Sequence, residues 1–205
     1  MGKREDKSVK QRGAIIGAAV GVFSQKGFHK ASVEAIAKRA GVGKGTIYNY
    51  FEDKSQLFAA AVAEGIESII AQLAAELESD LPFLQHLERL AEKNVTLYLK
   101  YGDLTKIFHN ELSSGLNPKA RRQIERVRAR YLDFIAATLS DGHRRGYLRQ
   151  ADFKLAAVGI MGLLDALCDY QLRSRDTVDK ESVKDVVFML LASVLIERDR
   201  PRAKR

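Results

Sequence analysis

Apolar residues recur along this chain at three- and four-residue intervals, and strict alternation is rare, so the pattern predicts helices and no sheet. Ile15, Ile16, Ala19, Val22 and Phe23 form one stripe on a helix expected over 9–26, with Gly27 as its stop and Phe28 folding back against it. Val33, Ile36, Ala37 and Ala40 fall at i, i+3, i+4 and i+7; Ser32 is placed to cap them and Gly41 to end the helix in the left-handed conformation. Ile47, Tyr50 and Phe51 make the inward face of a short helix over 44–50. Two short helices about a glycine turn make a helix-turn-helix.

Further on, Asp53 is placed to cap a fourth helix reaching Glu78, and Leu81-Pro82 opens a fifth to Lys100. A sixth is expected over 104–113. Asn117-Pro118, a cap followed by a first-turn proline, starts a seventh that runs to Ser140. Asp141 to Gly146 reads as a turn, Asp152 as the cap of an eighth helix ending at Leu172, and a ninth covers 179–197. Residues 1–8 read as a flexible basic arm. The result is an all-α chain of about nine helices: an N-terminal helix-turn-helix domain over 1–53, a helical domain over 54–197, and a basic, disordered tail over 198–205.

Composition narrows the class. The chain has 205 residues, 46% of them hydrophobic, with three prolines, enough for a substantial core. Residues 1–55 hold 11 Lys/Arg against 5 Asp/Glu, and 198–205 hold 5 against 1, whereas 56–197 hold 18 against 20. The basicity sits with the helix-turn-helix and the tail, which points to a polyanionic partner, double-stranded DNA. No stretch of about 18 uninterrupted apolar residues is present, so no membrane span is expected. The charged N-terminus has no apolar signal region, so the cytoplasm is the expected compartment. A single cysteine, Cys168, excludes an internal disulfide framework and a multi-cysteine metal site. No glycine-rich phosphate loop, His/Cys cluster or catalytic triad is visible, and no enzyme activity, cofactor or metal is expected. Asp165 and Asp169 share a helix face, a pattern equally suited to surface or interface charges.

The outer side of the second short helix is small, polar and aromatic. Gly45 lets backbone approach DNA; Thr46, Tyr48 and Asn49 can meet base edges or phosphates; Lys44 and Lys54 flank the helix and suit phosphates. Ser32 can serve as cap and phosphate ligand together. The competing readings are packing for Tyr48 and plain solvation for Lys44. Tyr50 and Phe51 are read as core.

The run Gly43-Lys44-Gly45-Thr46-Ile47-Tyr48-Asn49-Tyr50-Phe51, followed by Lys54, resembles the signature of the tetracycline-repressor (TetR) family of bacterial regulators. The likeness covers residues 11–58, about a quarter of the chain, and differs from many members in carrying Asn49 where they have His. The resemblance implies a two-fold homodimer through a bundle of the last two helices. Small residues Gly159, Gly162 and Ala166 permit close approach there, and Val186, Val187, Leu190, Leu191 and Val194 supply an apolar strip; the competing reading is that both helices pack only inside one subunit. It also implies a central cavity for an unknown small-molecule effector. Candidate lining residues are Leu97, Tyr101, Leu104, Phe108, Leu112, Tyr131, Phe134 and Leu164, with Tyr98, His86, His109 and Asn110 as polar candidates; each apolar one is equally a core position. Such a lining favours an apolar or amphipathic effector, such as a fatty acyl thioester. An arginine run, Arg121, Arg122, Arg126, Arg128 and Arg130, could hold its acidic group or form a solvated face. The expected function is a ligand-released repressor on a palindromic operator. The alternative is a DNA-binding assembly or nucleoid-associated factor with no effector.

Overall fold

A computed structural model of the chain describes residues 2–77, 82, 85–97, 115–173, 181–182, 185–186 and 189. Among these the regular structure is helical: α1 (Gly2–Lys30), α2 (Val33–Ala40), α3 (Lys44–Tyr48), α4 (Lys54–Leu77), α5 (85–97), α6 (Pro118–Arg144) and α7 (Phe153–Arg173). The chain divides into two compact units, Met1–Glu67 with Tyr101–Val127, and Ser68–Lys100 with Arg128–Arg205. The division falls inside α4 and α6, whereas the sequence reading places its boundary at 53/54.

The first unit is built around α1. Ile15, Ile16, Ala19, Val22 and Phe23 are buried along one side, as the stripe requires. Gly27 breaks the helical path at φ 72°, ψ 171°, a conformation cheap only for glycine. The chain then turns Phe28 inward, where its ring and that of Phe23 both pack edge-on to Phe58 of α4, with centroids 5.3 and 5.1 Å away. Val33, Ile36 and Ala37 of α2 and Ile47 of α3 complete this core. α2 starts on Ser32, whose Oγ accepts from the Ala35 amide at 3.1 Å. It ends at Gly41 in the left-handed conformation, φ 68°, with the Val42 amide returning to the Ala37 carbonyl at 3.0 Å.

In the second unit, Ile69 and Leu73 of α4, Leu87, Leu90 and Val95 of α5, Tyr131, Ile135 and Leu139 of α6, and Met161 and Leu164 of α7 are buried. α4 is long and apolar enough by length and composition to cross a bilayer, but 56% of its apolar stretch is buried inside the protein, which is the behaviour of a core helix.

Three expectations change. The segment read as a flexible arm is helical from Gly2, because its lysines, arginine and glutamate favour helix and no proline interrupts it. α6 continues past Ser140 to Arg144; the reversal comes at Gly146, φ 80°, whose amide reaches the His143 carbonyl at 2.9 Å. α3 ends at Tyr48, two residues short of the expected Tyr50. The expected helix over 104–113 and the tail 198–205 lie outside the described residues. The described residues 181–182, 185–186 and 189 are helical, and the rest of the expected ninth helix lies outside them.

Candidate functional site

Two sites emerge, one in each unit. On the helix-turn-helix, Ile47 points into the core, so the rest of α3 faces outward. Lys44, Gly45, Tyr48 and Asn49 are exposed, Tyr48 with 45% of its surface open, and Thr46 is half-exposed. A side chain built at Gly45 would meet no other part of the described residues within 4 Å, so open space lies in front of the backbone there. Ser32 is exposed while it caps α2. Lys44 is ion-paired with Glu34 of α2, a residue absent from the sequence-derived set. Tyr50, read as core, is half-buried and anchored: its hydroxyl donates to Gln11 Oε1 at 3.0 Å and lies 3.3 Å from Ser8 Oγ.

Lys54 has a different employment from the phosphate contact expected of it. Its ammonium donates to the carbonyls of Phe28, His29 and Ala31 at 2.9, 3.4 and 3.2 Å and lies 4.5 Å from the Phe28 ring centroid. It thus satisfies backbone acceptors left open where α1 ends. Beside it Asp53 caps α4, its Oδ1 accepting from the Gln56 amide at 2.8 Å. The other carboxylate oxygen accepts from Asn117 Nδ2 at 2.7 Å, and Asn117 caps α6 through the Ala120 amide at 2.8 Å. The caps of α4 and α6 are therefore bonded to each other.

In the second unit an apolar cavity of about 60 Å³ is lined by Leu73 of α4, Leu87, Leu90, Ala91, Asn94 and Val95 of α5, Phe134, Ile135, Thr138 and Leu139 of α6, and Ile160 and Leu164 of α7. A larger one of about 270 Å³ shares Leu87, Leu90, Phe134 and Thr138 with it and adds Leu77, His86, Ala137, Asp141 and Arg145. The two adjoin: an apolar interior and a rim carrying an imidazole, a carboxylate and a guanidinium. Together they approach the roughly 300–1,000 Å³ usual for small-molecule sites. Of the sequence candidates, Phe134 and Leu164 line the interior and His86 the rim. Leu97 and Tyr131 are buried but line neither cavity. The Tyr131 hydroxyl instead donates to Asn94 Oδ1 at 2.7 Å, and burial pushes its ionisation well above the ordinary value of 10.0. Tyr98, Tyr101, Leu104, Phe108, His109, Asn110 and Leu112 lie outside the described residues. Apart from His86, the α5 residues of the cavities were missed although Leu87, Leu90, Ala91, Asn94 and Val95 recur at i, i+3, i+4, i+7 and i+8, a signal present in the pattern.

The arginine run lines neither cavity. Arg121, Arg122, Arg126 and Arg130 are exposed. Arg128 is turned inward and donates to Asp165 Oδ2 on α7 at 3.1 Å. Burial raises the Asp165 carboxyl and lowers the Arg128 guanidinium, while their mutual attraction favours the charged pair. The cation at the cavity rim is Arg145, 3.6 Å from Asp141.

On α7, Gly159, Gly162 and Ala166 are exposed, and side chains built at the two glycines would meet nothing within 4 Å among the described residues. Leu155, Val158 and Tyr170 extend the same face with 67%, 50% and 56% of their surfaces open. The candidates Val187, Leu190, Leu191 and Val194 lie outside the described residues. Among the described residues no cluster of three or more His, Cys, Asp or Glu could hold a metal ion.

Comparison with known proteins places these features. The model for bacterial regulatory proteins of the tetR family matches residues 15–61, and that for the tetracyclin repressor-like C-terminal domain matches 80–169, together more than half of the chain. The fatty acid metabolism regulator protein of Bacillus subtilis is 27% identical over 180 residues, 87% of this chain and 92% of that protein. The structure of the transcriptional regulator FadR from Bacillus subtilis in complex with stearoyl-CoA aligns with TM-score 0.73 and 26% identity over 87% of this chain and 96% of that one. That of the fatty acid degradation regulator FadR from Bacillus halodurans aligns with TM-score 0.74 and 27% identity, covering 88% and 94%. The chain belongs to the TetR family of DNA-binding transcriptional regulators.

Proposed function

We propose that this regulator is a homodimeric repressor released from a palindromic operator by a long-chain fatty acyl thioester. The observation that carries this reading is the adjoining pair of cavities: an apolar interior between α4, α5, α6 and α7 has the lining an acyl chain needs and, at about 60 Å³, widens to admit one, and a rim with His86 and Arg145 suits the anionic part of an amphipathic ligand. The relationship to a regulator held in complex with stearoyl-CoA supports the same ligand class. On DNA, α3 lies in the major groove with Lys44, Gly45, Thr46, Tyr48 and Asn49 toward base edges and phosphates, and Ser32 supports the backbone contact from α2. Two such headpieces supply the affinity that one small module lacks.

Coupling runs through α6. That helix contributes Phe134, Ile135 and Thr138 to the cavity and begins at Asn117, which is bonded to Asp53 at the start of α4. Acyl-chain entry displaces α6, and the bonded caps carry the displacement to the segment that follows the recognition helix. A coupling of about 1–3 kcal/mol weakens the operator complex by roughly 5- to 150-fold.

Titration of the full-length protein with operator duplex, with and without stearoyl-CoA, tests this. The expected result is a loss of DNA affinity in that range, with a raised melting temperature of the free protein. Unchanged melting and DNA binding at saturating stearoyl-CoA would exclude the effector class and favour the effector-free DNA-binding factor. Arg145→Ala is expected to weaken stearoyl-CoA binding by about tenfold or more, since a hydrogen bond to a charged group contributes ~1.5–3 kcal/mol. Tyr48→Ala and Asn49→Ala are expected to weaken operator binding and leave stearoyl-CoA affinity intact.

A further inference from the structure

The ammonium of Lys44 and the carboxylate of Glu34 meet on the outer side of the helix-turn-helix, with 51% and 60% of their side chains open to solvent. They come from different helices. Glu34 lies in the first turn of α2, and Lys44 is the first residue of α3. The contact is therefore set by how the turn through Gly41 and Gly43 places one helix against the other. The hydrogen bond to Lys44 lowers the Glu34 carboxyl and the bond to Glu34 raises the Lys44 ammonium, so both groups stay ionised near neutrality.

A carboxylate is out of place on a surface meant for a polyanion, because an unpaired one repels phosphate. Held against Lys44 it adds no net charge and presents acceptor oxygens beside a donor. In a helix-turn-helix, the N-terminal residues of the second helix are those that reach base edges. Lys44 occupies that position and carries Glu34 with it. In the major groove a G·C pair presents guanine O6 and N7 as acceptors next to the cytosine N4 amine as donor; lysine suits the first and glutamate the second. The ammonium and carboxylate offer the complementary order.

We propose that Glu34 and Lys44 jointly read one G·C base pair in each half-site, with Glu34, from outside the recognition helix, accepting from cytosine N4 and setting the preference there. This rests on α3 lying in the major groove, as proposed above.

Selection of binding sites from random double-stranded DNA by the full-length wild type, Glu34→Ala, Glu34→Gln and Lys44→Ala tests it. The wild type is expected to select a two-fold motif with a fixed G·C pair in each half. Glu34→Ala and Lys44→Ala are expected to relax that pair and no other, and Glu34→Gln to shift it toward adenine, which suits an amide. Replacing the pair by A·T is expected to cost the wild type about 5- to 150-fold in affinity and Glu34→Ala little. An unchanged motif in Glu34→Ala, with affinity for all duplexes raised alike, would make Glu34 a simple counter-charge and overturn the proposal. Relaxation at two different pairs would overturn joint reading. A wild type that selects no duplex motif would instead overturn the placement of α3 in the groove. Both side chains are exposed, so the folded state tolerates these changes, and an unaltered melting curve for each variant verifies this.

Discussion

Lys44 and Lys54 lie ten residues apart on the same domain, and the fold uses them differently. Lys44 is an exposed member of an ion pair, whereas Lys54 ties the start of α4 to the end of α1 through three carbonyls and the face of Phe28. Spacing alone could not separate them, because the acceptors of Lys54 lie 23 to 26 residues away and exist only once Gly27 has turned the chain. Lys54→Met is expected to destabilise the protein by about 1.5–3 kcal/mol, lowering the melting temperature by ~3–12 °C. Lys44→Ala is expected to leave it unchanged; equal losses in a thermal melt of the two variants would contradict this assignment. Tyr131 offers a pH signature. Its folded-state ionisation is raised above the ordinary 10.0 by burial, so the folded form holds its proton more tightly than the unfolded chain. That contribution is fully present below pH 10.0 and is lost as pH climbs from there through the folded-state value. In urea titrations between neutral pH and strong alkali, Tyr131→Phe is expected to be less stable at neutrality, having lost the Asn94 bond, but to decline less steeply above pH 10.0 than the wild type.

At the level of elements, local signals were the most legible. Ser32, Asp53, Asn117 and Asp152 were each placed as caps by their position before an apolar period, and each accepts a first-turn amide. The stripe of α1 is buried as written, and so is the apolar face of α2 except for Ala40 at its end, which is half-exposed. What the sequence could not convey was pairing between elements. The bond between the caps of α4 and α6 joins residues 64 apart, and the cavity takes side chains from four helices, so periodicity names core faces without saying which side chains leave a gap. The arginine run shows the same limit: its density left an anion site and a solvated face both open, and the fold keeps Arg121, Arg122, Arg126 and Arg130 on the surface, draws Arg128 inward to Asp165, 37 residues on, and puts Arg145 at the rim. The bonded caps also make a prediction. Asn117→Ala removes the cap of α6 at a cost of about 0.5–2 kcal/mol. It also severs the bond to Asp53. If coupling passes this way, the variant binds stearoyl-CoA as before but releases operator less readily, measured as the ratio of DNA affinities with and without the ligand. A wild-type ratio in Asn117→Ala would place the coupling elsewhere.

For the whole molecule, the exposed face of α7 is the decisive surface. Leu155, Val158, Gly159, Gly162, Ala166 and Tyr170 follow the three- and four-residue spacing of a single stripe, yet all are open to solvent, the reverse of how such a stripe behaves inside one chain. Large apolar side chains contiguous on a surface mark an interaction site. The two glycines sharpen the point, since side chains built there would meet nothing within 4 Å among the described residues. Packing against the described residues does not require these glycines, whereas close approach by a second helix does. Gly162→Arg separates the two explanations. In an isolated subunit the new side chain extends into open space, and the gain in helix propensity over glycine leaves stability equal or slightly higher. Against a second copy related by two-fold symmetry it introduces two bulky charges where backbones must meet. The expected outcome is a folded monomer by sedimentation velocity, with full helical content, the proposed effector cavity unaltered and operator affinity reduced to that of a single headpiece. A Gly162→Arg protein that sediments as the wild type does would remove α7 from the contact. A wild type that is itself a monomer on its operator would remove the dimer.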